Sequence, residues 1–259
     1  MLDEIVTAKR GEVEAAKARL PFEELKNRTA NRLAERSFRQ AITAAGKLSL
    51  IAELKRKSPS RGMLRERFDP VSLGQTMQQA GASALSVLTD ERYFGGSLEF
   101  LRDVKQFTEI PALRKDFIVD PYQVYEAALY EADAILLIVR ILAEETLVEC
   151  VQAADRLGIE PLIEVHSEEE LDTALRAGGA VIGINHRDLG TFTMDPTLSV
   201  RLVPRIPAGK VIVAESGIQS SADVKRMQRL GVHAVLIGEA LMTAPNPSAK
   251  IGELFAGTW

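Results

Sequence analysis

The chain has 259 residues, a length that suits one complete α/β barrel or one to two ordinary domains. Apolar residues make up 46% and aromatic residues only 5%, so Ala, Leu, Ile and Val must build most of the core, as parallel strands covered on both faces require. The net charge is −4 and no long run carries one sign, which argues against a nucleic-acid groove or a basic membrane face. A small anionic substrate stays compatible, because a few local cations are enough to bind it.

The first 45 residues precede the repeated part of the chain and have helical periodicity. Pro21 interrupts the pattern after residue 20, and a second helical stretch is predicted to about Ala45. This extension could be a packing segment or a lid over one mouth of the fold, and the sequence favours neither.

Several features of the chain indicate a reducing compartment and predict a cytoplasmic protein. The opening MLDEIVTAKR has charges where a signal peptide needs an apolar stretch, and the longest aliphatic run, residues 134–139, is too short to span a bilayer. The single cysteine, Cys150, cannot form a disulfide within the chain and is predicted to be a buried structural thiol in a helix.

From residue 46 onward, a short apolar run, a loop and an amphipathic helix recur eight times. The apolar runs are residues 48–56, 84–90, 111–117, 134–139, 161–165, 181–188, 211–217 and 234–240. Strands that alternate with helices at this spacing predict a parallel sheet. Eight units of roughly 25 residues favour a closed (βα)8 TIM barrel over an open doubly wound sheet, and no GxGxxG motif follows the first strand.

Helix boundary signals separate the apolar runs. Asp-Pro pairs predict helix starts, Ser167 with Glu170 reads as a capping box, and four glycines stand where helices should stop. The pairs are Asp69-Pro70, Asp120-Pro121 and Asp195-Pro196, and the glycines are Gly81, Gly158, Gly178 and Gly231. We therefore predict one α/β domain over 1–259, with a helical extension at 1–45 and the barrel at 46–259.

Charged residues stand on the predicted strands where a stable core would have Val or Ile. They are Glu53, Lys55, Lys115, Glu164 and Glu215, all on odd-numbered strands. Inward side chains of alternate strands form one layer in this fold, so these residues should converge at the C-terminal mouth, with Asn185 and Arg187 of strand six beside them. A satisfied ion-pair layer is the structural alternative, but burying ions is costly, which favours general acid–base chemistry.

No Cys or His spacing suggests a metal site, because His166, His186 and His233 are scattered; His233, in a helix-to-strand turn, is expected to lie on the surface. A phosphate site is indicated by AESG (214–217) after strand seven and IGEA (237–240) after strand eight. Loops at these places often bind phosphate in barrels, and Gly217 and Gly238 allow the backbone close approach while Ser216 adds a hydroxyl. Ser58, in the loop after strand one, is a further polar contact or a simple turn residue.

The chain resembles the indole-3-glycerol phosphate synthase family along essentially its whole length. IAELKRKSPSRG (51–62) is similar to the family's strand-one signature. Further similar segments are residues 2–13, 88–97, 113–123, 136–139, 161–165, 183–189, 214–218 and 236–242. Two positions depart from the pattern: His186 stands where Asn is common, and Glu239 where some members have Ser.

The resemblance implies a carboxy-lyase of tryptophan biosynthesis that closes the ring of 1-(2-carboxyphenylamino)-1-deoxy-D-ribulose 5-phosphate, losing carbon dioxide and water to give indole-3-glycerol phosphate. It implies no metal or organic cofactor, no nucleic-acid or membrane partner, and association with other tryptophan-pathway enzymes. Lys115 would be the general acid, Glu164 an acid–base group in dehydration, and Lys55 with Glu53 a further catalytic pair.

By the same resemblance, the remaining positions would bind substrate. Ser58, Phe94, Phe117, Asn185, Arg187 and Glu215 would contact or orient it, and Ser216, Gly217, Gly238 and Glu239 would hold its phosphate. Two other functions stay open from the residues alone. One is a related phosphosugar barrel enzyme such as a phosphoribosylanthranilate isomerase, which the lysine pair with several glutamates disfavours; the other is a non-enzymatic binding barrel, which would have lost some inward charges.

Overall fold

The computed structural model describes residues 1–32, 35–43, 47–188, 190–191 and 193–259, and eight parallel strands close into a barrel in which β8 pairs with β1. The predicted barrel is confirmed. The strands are β1 (Ser49–Leu54), β2 (Ala84–Leu88), β3 (Ala112–Lys115), β4 (Ala134–Ile138), β5 (Glu160–Val165), β6 (Val181–Asn185), β7 (Val211–Glu215) and β8 (Ala234–Ile237). A short antiparallel hairpin, Lys57–Ser58 with Gly62–Met63, follows β1.

Helices precede the barrel, connect its strands and follow β8. They are α1 (Leu2–Arg19), α2 (Phe22–Thr29), α3 (Phe38–Ala41), α4 (Pro70–Gln79), α5 (Glu91–Phe94), α6 (Leu98–Phe107), α7 (Tyr122–Leu129), α8 (Glu144–Leu157), α9 (Glu168–Arg176), α10 (Leu198–Leu202), α11 (Ser221–Arg229), α12 (Glu239–Met242) and α13 (Pro247–Leu254). Two 3₁₀ turns, Val139–Ile141 and Val203–Arg205, follow β4 and α10. In the part of the chain that the structure describes, no helix has the length and apolarity to cross a membrane.

One of the three Asp-Pro pairs starts a helix as predicted. Asp69 caps α4 by accepting hydrogen bonds from the backbone N–H groups of Val71 and Ser72. For the other two pairs, the helix begins one residue after Pro121 and two residues after Pro196. Asp120 and Asp195 each accept the N–H two residues on; these are turns that satisfy the carboxylate before the helix begins.

The glycine stop signals are confirmed, because Gly81, Gly158, Gly178 and Gly231 follow α4, α8, α9 and α11 and have positive φ angles. The capping box at Ser167 is only half present. Ser167 Oγ accepts the N–H of Glu170, but the Glu170 carboxylate accepts the backbone N–H of His166 at 2.7 Å instead of that of Ser167.

The extension contains more breaks than predicted. Its second helical stretch ends at Thr29, and within residues 30–32, 35–43 and 47–48 only the four-residue helix α3 follows before the barrel. The predicted end at Ala45 lies outside the described residues.

Extension residues contact both ends of the barrel. At the N-terminal end, Glu160 at the start of β5 accepts the Arg39 N–H at 2.6 Å, and the fully buried Phe38 and Ile42 pack in the apolar cluster that fills the barrel. At the C-terminal rim, Lys9 of α1 binds carboxylates that follow β2 and β3. We infer from this shared packing that residues 1–259 form one domain.

Cys150 is a buried free thiol in the apolar layer between the strands and the outer helices, as predicted. Burial raises the pKa of its thiol to about 12, so the group stays protonated at neutral pH and is unreactive.

A buried ion pair ties the outer helix α6 to the barrel. Lys105 Nζ lies 2.8 Å from Asp133 Oδ1, and both side chains are at most 2% exposed. The other oxygen of Asp133 accepts the N–H of Ala112 at the start of β3, so the pair fixes the entrance of that strand.

We predict that Lys105→Met lowers the free energy of unfolding by about 3–5 kcal/mol, because it leaves the Asp133 carboxylate buried without its cation. Lys250→Met is the matched control, since among the described residues Lys250 pairs only with the largely exposed Glu253, and its loss should change stability by less than about 1 kcal/mol. Urea unfolding of both variants measures the difference. Equal stabilities would show that Lys105 contributes nothing beyond its aliphatic stem.

Candidate active site

One ionisable side chain from each odd-numbered strand points into the upper end of the barrel. Glu53 of β1, Lys115 of β3, Glu164 of β5 and Glu215 of β7 form this layer, which we call the charged layer. Two residues earlier on the same strands stand buried apolar residues, namely Ile51, Leu113, Leu162 and Val213. Side chains two apart share a face, so the charged layer lies directly above an apolar one. The predicted convergence at the C-terminal mouth is confirmed.

Lys115 is the centre of the charged layer. Its Nζ lies 3.0 Å from Glu164 Oε2 and 3.0 Å from Glu215 Oε2. The lysine side chain is 13% exposed, whereas the two glutamates are at most 2% exposed. Lys115 is therefore the most exposed member of this triad.

The two glutamates that bind Lys115 hold their protons differently. Burial alone would raise the pKa of Glu164, but Lys115 and His166 together hold it well below its usual value. Burial and the neighbouring Glu164 charge raise the pKa of Glu215 to about 7, against the effect of Lys115. Burial disfavours the charged lysine, but the surrounding carboxylates raise the pKa of Lys115 above its usual value. At neutral pH the layer thus holds a protonated amine, an ionised carboxylate and a carboxyl group near its titration midpoint.

Lys55 forms a second pair at the end of β1. Its Nζ lies 2.5 Å from Glu53 Oε1, which confirms that these two residues share a face. The opposite wall of Glu53 is Gly238, where a Cβ atom would overlap the carboxylate. Gly238 has a φ of −122°, so glycine is required there to make room for Glu53 and not to permit a left-handed turn.

All fourteen predicted site residues line one pocket at the C-terminal mouth. They are Glu53, Lys55, Ser58, Phe94, Lys115, Phe117, Glu164, Asn185, Arg187, Glu215, Ser216, Gly217, Gly238 and Glu239. Apolar side chains such as Leu88, Leu136 and Ile138 form much of the remaining wall. A mixed pocket of this kind suits a ligand with an apolar ring and anionic groups.

The loops after β7 and β8 present backbone to the pocket. Ser216 and Gly217 both have positive φ angles, 64° and 74°, which turn the chain sharply after β7. After β8, the Glu239 carboxylate lies 2.7 Å from Arg61 and 3.5 Å from Arg187. Two guanidinium groups therefore stand beside the predicted phosphate site.

Two aromatic rings line the side of the pocket near β2 and β3. The ring centroids of Phe94 and Phe117 lie 5.9 Å apart. Asp90 caps the short helix α5 by accepting the N–H groups of Tyr93 and Phe94, and so fixes the ring of Phe94 at the rim.

Sequence reasoning missed a buried ion cluster behind this rim. Lys9 Nζ of α1 lies 3.0 Å from both Asp90 Oδ2 and Asp116 Oδ1, and Asp116 also pairs with Arg114. Asp116 is adjacent to Lys115, so the extension is bound to the edge of the charged layer. Strand periodicity could not reveal this contact, because Lys9 lies on a helix outside the repeat.

The histidines are arranged differently from what their scatter in the sequence suggested. His166 is buried beside Glu164, and His186 Nε2 lies 2.7 Å from Ser199 Oγ behind the loop after β6. His233, expected on the surface, is half-buried and its Nδ1 accepts the Ile212 N–H. Among the described residues, no group of three or more His, Cys, Asp or Glu side chains could hold a metal ion.

The closed parallel barrel with an acid–base layer at its C-terminal mouth defines the (βα)8-barrel class of enzymes. A family model described as "Indole-3-glycerol phosphate synthase" matches residues 2–254. The chain therefore belongs to the indole-3-glycerol phosphate synthase family, whose members are decarboxylating lyases.

Curated relatives with the family's name match this chain over nearly its full length. A protein from Carboxydothermus hydrogenoformans named indole-3-glycerol phosphate synthase is 46% identical, covering 98% of this chain and 99% of the relative. One of the same name from Roseiflexus sp. is 43% identical, covering 100% of this chain and 99% of the relative.

Solved structures at lower identity share the fold. A 3-hexulose-6-phosphate synthase from Salmonella typhimurium has a TM-score of 0.65 at 15% identity, covering 80% of this chain and 96% of that one. A phosphoribosylanthranilate isomerase from Thermotoga maritima has a TM-score of 0.56 at 16% identity, covering 80% and 96%. At these identities the likeness concerns the barrel alone.

We predict that the three histidines titrate in two separate ranges. Burial disfavours the charged form of His166, but Glu164 and Glu170 raise its pKa to about 9. Burial lowers the pKa values of His186 and His233. An NMR titration of the imidazole signals from pH 5 to 10, assigned with single His→Gln variants, should show one ring charged at pH 8 and two neutral. A neutral His166 ring at pH 7 would contradict the arrangement.

Proposed function

We propose that the pocket closes the ring of 1-(2-carboxyphenylamino)-1-deoxy-D-ribulose 5-phosphate, releasing carbon dioxide and water to give indole-3-glycerol phosphate, a step of tryptophan biosynthesis. The charged layer carries this proposal. Ring closure and dehydration need a proton donor and a proton acceptor. The ammonium of this layer is the donor, and the two carboxyl groups beside it, which differ in proton affinity, include the acceptor. Family membership specifies the substrate.

Lys115 is the proposed general acid. Its ammonium is charged at neutral pH and is the exposed member of its triad, so it can donate to the sugar carbonyl oxygen. The aromatic carbon that bears the carboxylate attacks the protonated carbonyl, and loss of carbon dioxide then restores the aromatic ring. The adjacent Glu215, with a pKa of about 7, is suited to return a proton to the Lys115 amine between steps.

Glu164 is the proposed proton acceptor in dehydration. The pKa of its carboxyl is held low, so it is ionised and can take the proton from the ring carbon beside the nitrogen when the hydroxyl group on the neighbouring carbon departs as water. Lys55 is suited to donate the proton to that leaving hydroxyl, because it lies across the mouth and Glu53 fixes its ammonium at 2.5 Å. Lys115 with Glu215 would thereby serve ring closure, and Glu164 with Lys55 would serve dehydration.

Binding of the substrate's ends is assigned to opposite sides of the pocket. Phe94 and Phe117 would contact the anthranilate ring, and Asn185 with Arg187 would orient the chain between its ends. Ser58 and the backbone from Ser216 to Gly217 and at Gly238 and Glu239 would receive the phosphate. The Glu239 carboxylate opposes an anion, so its pairing with Arg61 is what makes this position compatible with phosphate.

The proposed compartment is the cytoplasm, and association with other enzymes of tryptophan biosynthesis is proposed from the family alone. The reduced, buried thiol of Cys150 supports a reducing compartment.

Ring closure is tested by incubating the purified protein with the carboxyphenylamino-ribulose phosphate and following indole fluorescence. We predict turnover by the wild type and a loss of about 10²–10⁴ in rate for Lys115→Ala, the usual contribution of a general acid. No product from the wild type at any pH would exclude the function, whereas turnover of phosphoribosylanthranilate in a parallel isomerase assay would favour the related activity. A near-normal rate for the variant would exclude the acid role of Lys115.

Gly183 of β6 gives room to a carboxyl group of the charged layer. A Cβ atom at this position would overlap Glu215 Oε1 and lie 3.2 Å from Leu162 Cδ1. We predict that Gly183→Ala turns Glu215 away from Lys115 and lowers kcat/KM by about 10²-fold, the effect of a displacement near 1 Å. Gly252→Ala in α13 is the control, because a Cβ there meets nothing within 4 Å. Equal kcat/KM values of the two variants would show that activity does not depend on the position of Glu215 beside Lys115.

A further inference from the structure

His166 is a buried histidine to which the proposed mechanism gives no part. It follows β5 directly, and its side chain is 2% exposed. Its Nε2 lies 3.2 Å from Glu164 Oε1, and its Nδ1 lies 3.1 Å from Glu170 Oε2. Each ring nitrogen thus faces a carboxylate oxygen.

This geometry requires a charged ring. A neutral imidazole has a proton on only one nitrogen, so the other would present its lone pair to a carboxylate. With both nitrogens protonated, the ring donates to Glu170 and attracts Glu164. Among the described residues, the buried Glu164 Oε1 makes no aligned hydrogen bond, so the charge of the ring is what holds that oxygen.

Charged groups on neighbouring elements hold this imidazolium in place. Glu170 accepts the backbone N–H of His166 at 2.7 Å, and its other oxygen accepts from Arg140 Nε at 2.8 Å in the turn after β4. Arg140 in turn lies 2.5 Å from Asp188, which accepts the N–H groups of residues 190 and 191 in the loop after β6. Glu170 of α9 therefore fixes the ring, and it is itself held by the turn after β4, which the loop after β6 supports in turn.

We propose that His166 is a positioning residue, whose imidazolium, fixed by Glu170, holds the Glu164 carboxylate in place and ionised for proton acceptance. This inference rests on the proposed function. Glu164 then stands between two cations, Lys115 on the pocket side at 3.0 Å and His166 behind it at 3.2 Å. The imidazolium of His166 stays charged when Lys115 gives its proton to the substrate, so Glu164 stays ionised during that step.

Removing the ring's charge is the first test. In His166→Gln, the amide can still fill the space and donate a hydrogen bond, but it carries no charge. We expect kcat to fall at least about tenfold, KM to change less than about threefold, and the acidic limb of the kcat/KM profile to move up by at least about one pH unit. The limb moves up because Glu164, less stabilised as an anion, is protonated at higher pH. His233→Gln, at the opposite end of the barrel, is the control and should leave the profile unchanged.

Glu170→Gln separates positioning by charge from simple packing. It keeps the imidazole but removes one of the two carboxylates that keep the ring charged. The variant should resemble the wild type near pH 6, where the ring remains protonated, and approach His166→Gln near pH 8.5. A pH-independent loss in both variants, with an unmoved acidic limb, would overturn the proposal and leave a structural role.

A readout independent of turnover keeps this inference distinct from the proposed function. Because the pKa of His166 is raised on folding, its protonation stabilises the fold fully at pH values below about 6.5, the ordinary pKa of histidine. This contribution is lost as the pH rises through about 9. The urea midpoint of the wild type should therefore exceed that of His166→Gln at pH 6, and the gap should close by pH 9.5. ¹³C NMR of the Glu164 carboxyl should show a higher pKa in His166→Gln. If the wild type turns nothing over, the function fails, and this carboxyl titration alone decides the part played by His166.

Discussion

Lys115 lies between Glu164 and Glu215, 3.0 Å from an oxygen of each, in a layer that the barrel almost closes to water. Two carboxylates and one ammonium leave a surplus negative charge when all are ionised, and burying such a group costs free energy that its internal attraction does not fully return. The arrangement persists because the strands force it: closing eight parallel strands brings alternate strands' inward side chains to one level. The remainder of the mouth compensates for this layer, with His166 behind Glu164 and a partly protonated Glu215.

The two glutamates around Lys115 illustrate how environment assigns roles to identical side chains. Glu164 has a cation on each side and loses its proton readily, whereas Glu215 pairs with Lys115 alone among the cations that the structure describes, and it packs against the backbone of Gly183. Pairs of titratable groups whose proton affinities are pushed apart are the usual basis for separate acid and base functions in one site. Both glutamates are almost fully buried, so the difference follows from their charged neighbours and not from distance to solvent.

The barrel and the convergence of its inward charges could be predicted from the sequence because both follow from local regularities, whereas Phe94, Phe117 and Glu239 were predicted from the family resemblance alone. Strand alternation decides which side chains face inward, and chain order decides which strands alternate, so Glu53, Lys115, Glu164 and Glu215 had to meet. The predictions that failed concern carboxylates that could accept hydrogen bonds from more than one backbone N–H group. Glu170 stood three residues after Ser167, and spacing could not show that its carboxylate would bind His166 instead. Asp120 and Asp195 likewise satisfied themselves in turns ahead of their helices.

The contact of Lys9 with Asp116 lay beyond any local pattern, because it joins a helix outside the repeat to the end of β3. It also sets an order of events during synthesis. The ribosome delivers Lys9 roughly a hundred residues before Asp116, which at about 5–20 residues per second is a wait of about 5–20 s. Lys9 of α1 must therefore wait for the end of β3 to emerge before it can bind Asp116, and β8, which closes the barrel against β1, is synthesised later still.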